Sequence, residues 1–316
     1  MKSFITGKDA IRLMMIRMVL LVSLVFLVSC FPEDNPYENT DYRKGTDGLD
    51  MVFAQGSPPA KVYEGSKLGL VLELYNRGAY DLKSNGKVYL TGFDPAAISF
   101  ADMQGRHVEK NIPDIQGANA YIPEGGYEIM EFDDSGVEVP YGETYEPTLM
   151  ATSCYMYETL ATPSVCIVSS PEDIFKDDVC RPGVVTLASQ GAPVAVTKVE
   201  EEVMQQRLNF IITIKNVGDG RVIDKDELDK CPFDLDHKSV NVVDVQAELR
   251  GQGEAECTPS DGRIRLINGK GVIFCQFPVE LHTSYTTPLV ITLKYGYSSS
   301  TTRQIEIVKP PGTGDD

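Results

Sequence analysis

The sequence predicts an all-β protein made of two antiparallel β-sandwich domains, on three observations. Short apolar or alternating runs recur along its 316 residues with Gly, Pro, Asn and Asp between them, as half-buried strands joined by tight turns require. No stretch carries the periodicity of a long amphipathic helix. One strand-and-turn motif occurs twice: Leu70-Val-Leu-Glu-Leu-Tyr-Asn76-Arg-Gly78 returns as Phe210-Ile-Ile-Thr-Ile-Lys-Asn216-Val-Gly218. Each copy supplies inward residues at a period of two and an Asn-x-Gly turn tolerant of positive φ. The copies are therefore expected to be equivalent strands of two similar sandwiches.

In chain order, residues 1–29 read as a secretory signal. Lys2, Lys8, Arg12 and Arg17 precede the apolar run Met18–Ser29, the charged and apolar regions of an export signal. The run is short of the roughly 20 residues that a membrane-spanning helix needs. Leu27-Val28-Ser29-Cys30 resembles the lipobox of exported prokaryotic lipoproteins. That resemblance implies that Cys30 becomes the lipidated first residue and holds the protein on the membrane through its lipid. Residues 30–48 are acidic and nearly free of apolar side chains, as expected of a disordered tether.

The first sandwich, with insertions, is placed at residues 49–188. Its clearest strand runs Leu68, Leu70, Leu72, Leu74 in alternation with Gly69, Val71 and Glu73. Further strands are expected at Lys87–Leu90, Tyr127–Phe132, Thr148–Tyr157, Val165–Val168 and Val184–Leu187. The boundary falls near Leu187–Ala192, where Ser189-Gln-Gly-Ala interrupts two strand-like runs. The second sandwich, residues 189–309, takes strands at Ala192–Glu200, Leu208–Lys215, Val240–Leu249, Arg263–Ile267, Gly271–Phe277, Leu289–Tyr295 and Arg303–Val308. Residues 310–316 form a disordered tail. At most a helical turn is expected at residues 172–179 or 224–230. Asn268-Gly269 marks a hairpin between Ile264–Ile267 and Val272–Phe274, and Asp133-Asp134 the tip of another.

Pro193–Val199 and the following strand to Asn216-Val-Gly-Asp-Gly220 resemble the first two strands of CARDB and related bacterial immunoglobulin-like or fibronectin-like surface modules. The first copy, from Val62-Tyr-Glu-Gly65 to Gly92-Phe-Asp-Pro95, is similar but carries a large insertion. The resemblance implies that both sandwiches are immunoglobulin-like. Joined to Cys30, it is also similar to archaeal surface lipoproteins, and it implies no enzymatic activity.

Lipidation of Cys30 leaves six of the seven cysteines, and an even number in an exported chain reads as disulfides. Cys257 and Cys275 flank one hairpin and are expected to pair. Cys166 with Cys180 closes the loop around residues 171–178. Elimination leaves Cys154 with Cys231, a bridge that would tie the two domains together. No Cys-x-x-Cys spacing supports zinc.

A net charge of −17 lacks the basic footprint that nucleic acid or an anionic membrane surface demands. The densest acidic cluster offers Asp224, Asp226 and Asp229 as weak calcium ligands, although its spacing is not that of an EF-hand loop. A solvated loop is the simpler expectation. His107, His237 and His282 sit in polar stretches without a nucleophile elbow, and read as loop histidines. Gly251-Gln-Gly253 and Gly269-Lys-Gly271 open no helix, so neither reads as a phosphate loop. Tyr155 with Tyr157 and Tyr295 with Tyr297 each share one strand face, which core packing explains.

These observations predict a cell-surface, lipid-anchored structural or binding module without catalytic activity or cofactor. Its partner would be a protein or a polysaccharide met through loops or a sheet edge. The alternative is an accessory or substrate-binding lipoprotein of an exported enzyme or transport complex.

Overall fold

Alternating apolar residues lay down the strands, and turns fall where glycine or an Asn or Asp side chain relieves the backbone. The computed structural model describes residues 42–168, 179–204, 207–251, 253–278 and 284–311, apart from the side chains of Asp134 and Ser135. Cys30, the apolar run before it, residues 172–178 and His282 lie outside the described residues.

In chain order the strands begin β1 (Leu49–Phe53), β2 (Lys61–Tyr63), β3 (Leu70–Asn76), β4 (Gly86–Thr91), β5 (Ile98–Phe100), β6 (Met103–Gln104), β7 (His107–Asn111) and β8 (Tyr127–Phe132). They continue as β9 (Asp134–Val137), β10 (Thr144–Tyr145), β11 (Thr148–Ala161), β12 (Ser164–Ile167), β13 (Val184–Thr186), β14 (Val194–Met204), β15 (Arg207–Asn216) and β16 (Arg221–Ile223). After a 3₁₀ turn over Lys225–Lys230 come β17 (Val242–Leu249), β18 (Gly253–Glu254), β19 (Glu256–Thr258), β20 (Arg263–Arg265), β21 (Lys270–Pro278), β22 (Tyr285–Gln304) and β23 (Glu306–Val308). The turn matches the short helix expected at residues 224–230. Beyond the strands expected from the sequence the fold adds β1, β2, β5, β6, β7, β9, β10, β16, β18 and β19, each only two to five residues long.

The protein is all-β, with antiparallel sheets stacked as sandwiches. The largest, 10-stranded, follows the path β18-β17-β22-β11-β4-β7-β6, with β12 and β16 on β22 and β20 on β17. Separate from it are the sheet β1-β3-β8 and the 5-stranded sheet β13-β14-β15-β21-β19, both of which bury apolar residues in the same cluster as the large sheet. Leu70, Leu72 and Leu74 of β3 join Val88, Leu90 and Leu149 in the same buried cluster as Phe210, Ile212 and Ile214 of β15 with Leu289, Ile291 and Leu293 of β22. One apolar interior thus runs the length of the large sheet. Burying alternate positions of two facing sheets is what this sequence pattern specifies.

The two motif copies occupy equivalent places. β3 and β15 both end in the Asn-x-Gly turn, where Asn76 Nδ2 donates to the Tyr80 carbonyl (2.7 Å) and Asn216 Nδ2 to the Gly220 carbonyl (2.9 Å). The glycines are dictated by tyrosines: a Cβ on Gly78 would overlap the Tyr157 hydroxyl, and one on Gly218 would stand 2.6 Å from that of Tyr297.

Those tyrosines belong to a square. Tyr155 and Tyr157 of β11 face Tyr297 and Tyr295 of β22 in register, with neighbouring ring centroids 6.0–6.3 Å apart. Each hydroxyl accepts from a backbone N–H at a turn or at the start of a strand: Leu49 to Tyr155 (2.9 Å), Tyr80 to Tyr157 (3.4 Å), Val194 to Tyr295 (3.2 Å) and Gly220 to Tyr297 (2.7 Å). Burial raises the phenol pKa at Tyr155 and Tyr295 well above the ordinary value, so the hydroxyls stay protonated.

Three expectations about domain limits change. The boundary at 188/189 is not a linker between independent bodies, because β11 pairs with β22 from Thr148↔Gln304 to Ala161↔Ile291. The chain from Asp41 onward clusters as one compact unit. The C-terminal strand β23 lies between β10 and β2, so residues placed in the second sandwich complete the first. Finally, the stretch 42–48 is not a free tether. Gly48 is buried, the Arg77 N–H donates to its carbonyl (2.9 Å), and the Thr46 and Asp47 backbone lies against both glycine turns.

Candidate functional site

The outward face of the large sheet is covered, in part, by the segment between β16 and β17. The Cys154–Cys231 disulfide fastens this segment to β11, with Cα atoms 6.1 Å apart. Tyr89, Cys154, Ile223 and Cys231 form a small buried cluster beneath it, with Leu228 and Leu235 packed on its rim. Arg265 adds a second fastening: its guanidinium donates to the carbonyls of His237 (2.6 Å), Lys238 (3.1 Å) and Val240 (2.8 Å). Within the loop itself Asp236 closes a local turn, accepting from the backbone N–H groups of Lys238 (2.7 Å) and Ser239 (2.9 Å). Those hydrogen bonds favour its ionised form and hold its pKa below the usual value.

This loop carries Phe233, a residue that remains 54% exposed. It is held by stacking, 4.7 Å from the His107 ring and edge-on to Tyr89 at 5.5 Å. Beside it opens a hollow of about 580 Å³. Phe233, His107 and Phe93 give the hollow its aromatic walls, while Asp94, Arg106 and Tyr145 supply polar groups. Gly92 shapes one side, with φ 88° and no room for a Cβ against the Thr148 carbonyl. The Tyr145 hydroxyl accepts from the Asp94 N–H (2.8 Å), leaving its own proton to give. Asp94 Oδ1 accepts from the Ala96 N–H (2.9 Å). Among the described residues Arg106 enters no ion pair.

The acidic cluster around Asp224 and Asp226 carries its own positive charge. Arg263 fills the space between Asp224 and Asp226, paired with both, and its Nε lies 3.5 Å from Asp244. Lys225 bridges Asp226 (2.6 Å) and Asp244 (3.2 Å). Lys225, helped by Arg263, lowers the Asp226 pKa from its ordinary value. Asp229 faces elsewhere, lining a separate hollow with Lys87 and Asn111. Two cations thus occupy the place a metal would take, and among the described residues no group of three acidic, His or Cys side chains is arranged to hold one.

The other named cysteines pair as Cys166–Cys180 and Cys257–Cys275, with Cα separations of 5.7 and 4.0 Å. The latter pair lies directly opposite in the β19–β21 register. Three disulfides belong to the chemistry of an oxidising, extracytoplasmic compartment. Among the described residues no helix is long and apolar enough to cross a membrane. His237 is exposed on the pinned loop, while His107 alone of the described histidines reaches the hollow. Phe233, Arg106, Asp94 and Tyr145 escaped sequence reasoning. The one local signal was an isolated phenylalanine in an otherwise acidic segment beside a cysteine.

No protein-family profile matches the chain, and no curated protein matches it. One solved structure it resembles weakly is red sea bream transglutaminase, at 10% identity and a TM-score of 0.19, over 89% of this chain and 34% of that one. The chain spans about a third of that enzyme's length. A likeness at this score carries neither fold nor activity across.

Proposed function

We propose that the protein is an exported, lipid-tethered surface module that binds a partner through the hollow beside Phe233 and catalyses no reaction. One observation carries this reading: a disulfide pins an irregular loop onto a rigid sheet and so keeps a large aromatic ring in water. A ring left half exposed forgoes about half of the ~1.5–3 kcal/mol that full burial of such a side chain yields, on the order of 1 kcal/mol. Rigid aromatic anchors on fixed loops bind with little ordering cost. The signal-like run before Cys30 and the three disulfides support an address outside the cytoplasm. The resemblance to surface modules supports a binding role.

The test is retention of the purified, oxidised protein on cell-envelope fragments from its own source. Saturable retention is expected, and Phe233→Ala should weaken it about tenfold, as loss of one anchoring ring does, with the thermal midpoint unchanged. Absence of saturable retention, or equal retention of the variant, overturns the proposal.

A further inference from the structure

The geometry points to a ligand class for this hollow: we infer that it takes a neutral saccharide, one or two sugar rings, seated against the Phe233 ring. The inference rests on the binding reading above.

Three properties of the hollow carry it. First, its size: about 580 Å³ lies within the range of small-ligand sites, yet the hollow is open and its apolar surface is a few ring faces rather than an enclosed greasy pocket. A lipid tail would stay half solvated there. Second, its polar groups differ in kind. Asp94 only accepts, Arg106 only donates, and the Tyr145 hydroxyl, its lone pair already engaged by the Asp94 N–H, has a proton to give. Sugar hydroxyls donate and accept at once, so neighbouring hydroxyls can satisfy all three.

Third, the charge is balanced. One carboxylate and one guanidinium line the hollow, so an anionic ligand would bring its charge toward Asp94 and a cationic one toward Arg106. The whole chain, at −17, also repels polyanions. A neutral ring with an apolar C–H face and a hydroxylated edge fits the aromatic wall and the polar groups together. Phe233 serves as the platform because His107 and Tyr89 fix its plane and the Cys154–Cys231 bridge fixes its loop.

The experiment titrates the purified protein with neutral gluco-, manno- and galacto-configured hexasaccharides, a uronate hexasaccharide and an uncharged proline-rich peptide. Heat of binding is the readout. At least one neutral hexasaccharide should bind, and the uronate and the peptide should bind more weakly or not at all. Phe233→Ala should weaken binding about tenfold, the order of a lost aromatic contact, while Phe233→Tyr should retain it. Arg106→Gln and Asp94→Asn should each weaken it without changing the thermal midpoint.

Preference for the uronate or the peptide overturns the saccharide inference, as does neutral binding indifferent to Phe233→Ala. Silence toward every probe also counts against it. Envelope fragments separate this failure from failure of the binding reading. Retention lost after periodate oxidation but kept after protease supports a glycan, and the reverse pattern retains the binding module while removing the saccharide. No Phe233-dependent retention in either case removes both.

Discussion

Glu201 shows how a single side chain can carry a pH dependence. It sits on β14, where its carboxylate accepts from the Cys166 N–H at 3.2 and 3.3 Å. Burial pushes its pKa up to about 7, against the pull of backbone N–H groups from Cys166 and Gly183. The folded state therefore holds a proton that the unfolded chain has released above its ordinary value near 4.5. Stability from this group is greatest below about pH 4.5, falls as pH rises toward 7 and is level beyond. Glu201→Gln keeps the acceptor and removes the charge. Its stability should match the parent's at pH 4 and exceed it at pH 8, by less than about 1 kcal/mol because the carboxyl retains part of its hydration. Melting curves across that range check it, and a variant less stable at pH 8 would contradict the assignment. None of this was legible in the sequence, where Glu201 is one of three consecutive glutamates. Only the strand's alternation against Cys166 makes it differ from Glu200 and Glu202.

At the scale of elements, what could be read depended on how local the cause was. The Asn268-Gly269 turn was plain, because both residues take positive φ (52° and 74°), which few other pairs tolerate, but the hairpin expected around it does not form. Beyond the single bridge Ile267↔Lys270, β20 pairs with β17 and β21 with β15 and β19, so the turn passes the chain from one sheet to the other. Cys257 and Cys275 flank that turn and meet across β19 and β21. Replacing both by alanine should lower stability by about 3 kcal/mol in denaturant titrations. Amide exchange should accelerate in β19 while β11 and β22 stay protected, whereas loss of protection throughout would mean that the bridge holds more than its own sheet. β22 was legible only in two pieces, Leu289–Tyr295 and the last residues from Arg303. Between them Ser298, Ser299, Ser300, Thr301 and Thr302 carry no apolar alternation, yet they form a strand, in which the hydroxyls of Ser299 and Ser300 pair with Ser153 at 3.0 Å and Thr152 at 2.9 Å. The hollow was illegible for the same reason: Asp94, Arg106, Tyr145 and Phe233 are distant in sequence and meet only once the loop is pinned to β11.

For the whole molecule, the sandwich architecture and the strand repeat could be read from alternation, but the independence of two domains could not. Alternation reports which face a strand buries, and it is silent on which strand lies alongside. Because β11 and β22 run through both halves, the two should unfold together. Calorimetry should show one transition whose calorimetric and van't Hoff enthalpies agree, and residues 42–188 expressed alone should show no cooperative melt. Two separate transitions, or a cooperative melt of that fragment, would restore the independent-domain picture.

The shared ladder also sets an order of events in the making of the protein. A chain emerges amino end first, so β11 is delivered well before β22, and at the usual rate of synthesis the interval is on the order of ten seconds. During it, the long flank of β11 that will meet β22 has no partner, with Leu149, Ala151, Tyr155 and Tyr157 along its apolar side. An open edge of that kind invites pairing with another nascent chain. Productive assembly of this protein therefore depends on keeping a half-made sheet single until its last strands arrive.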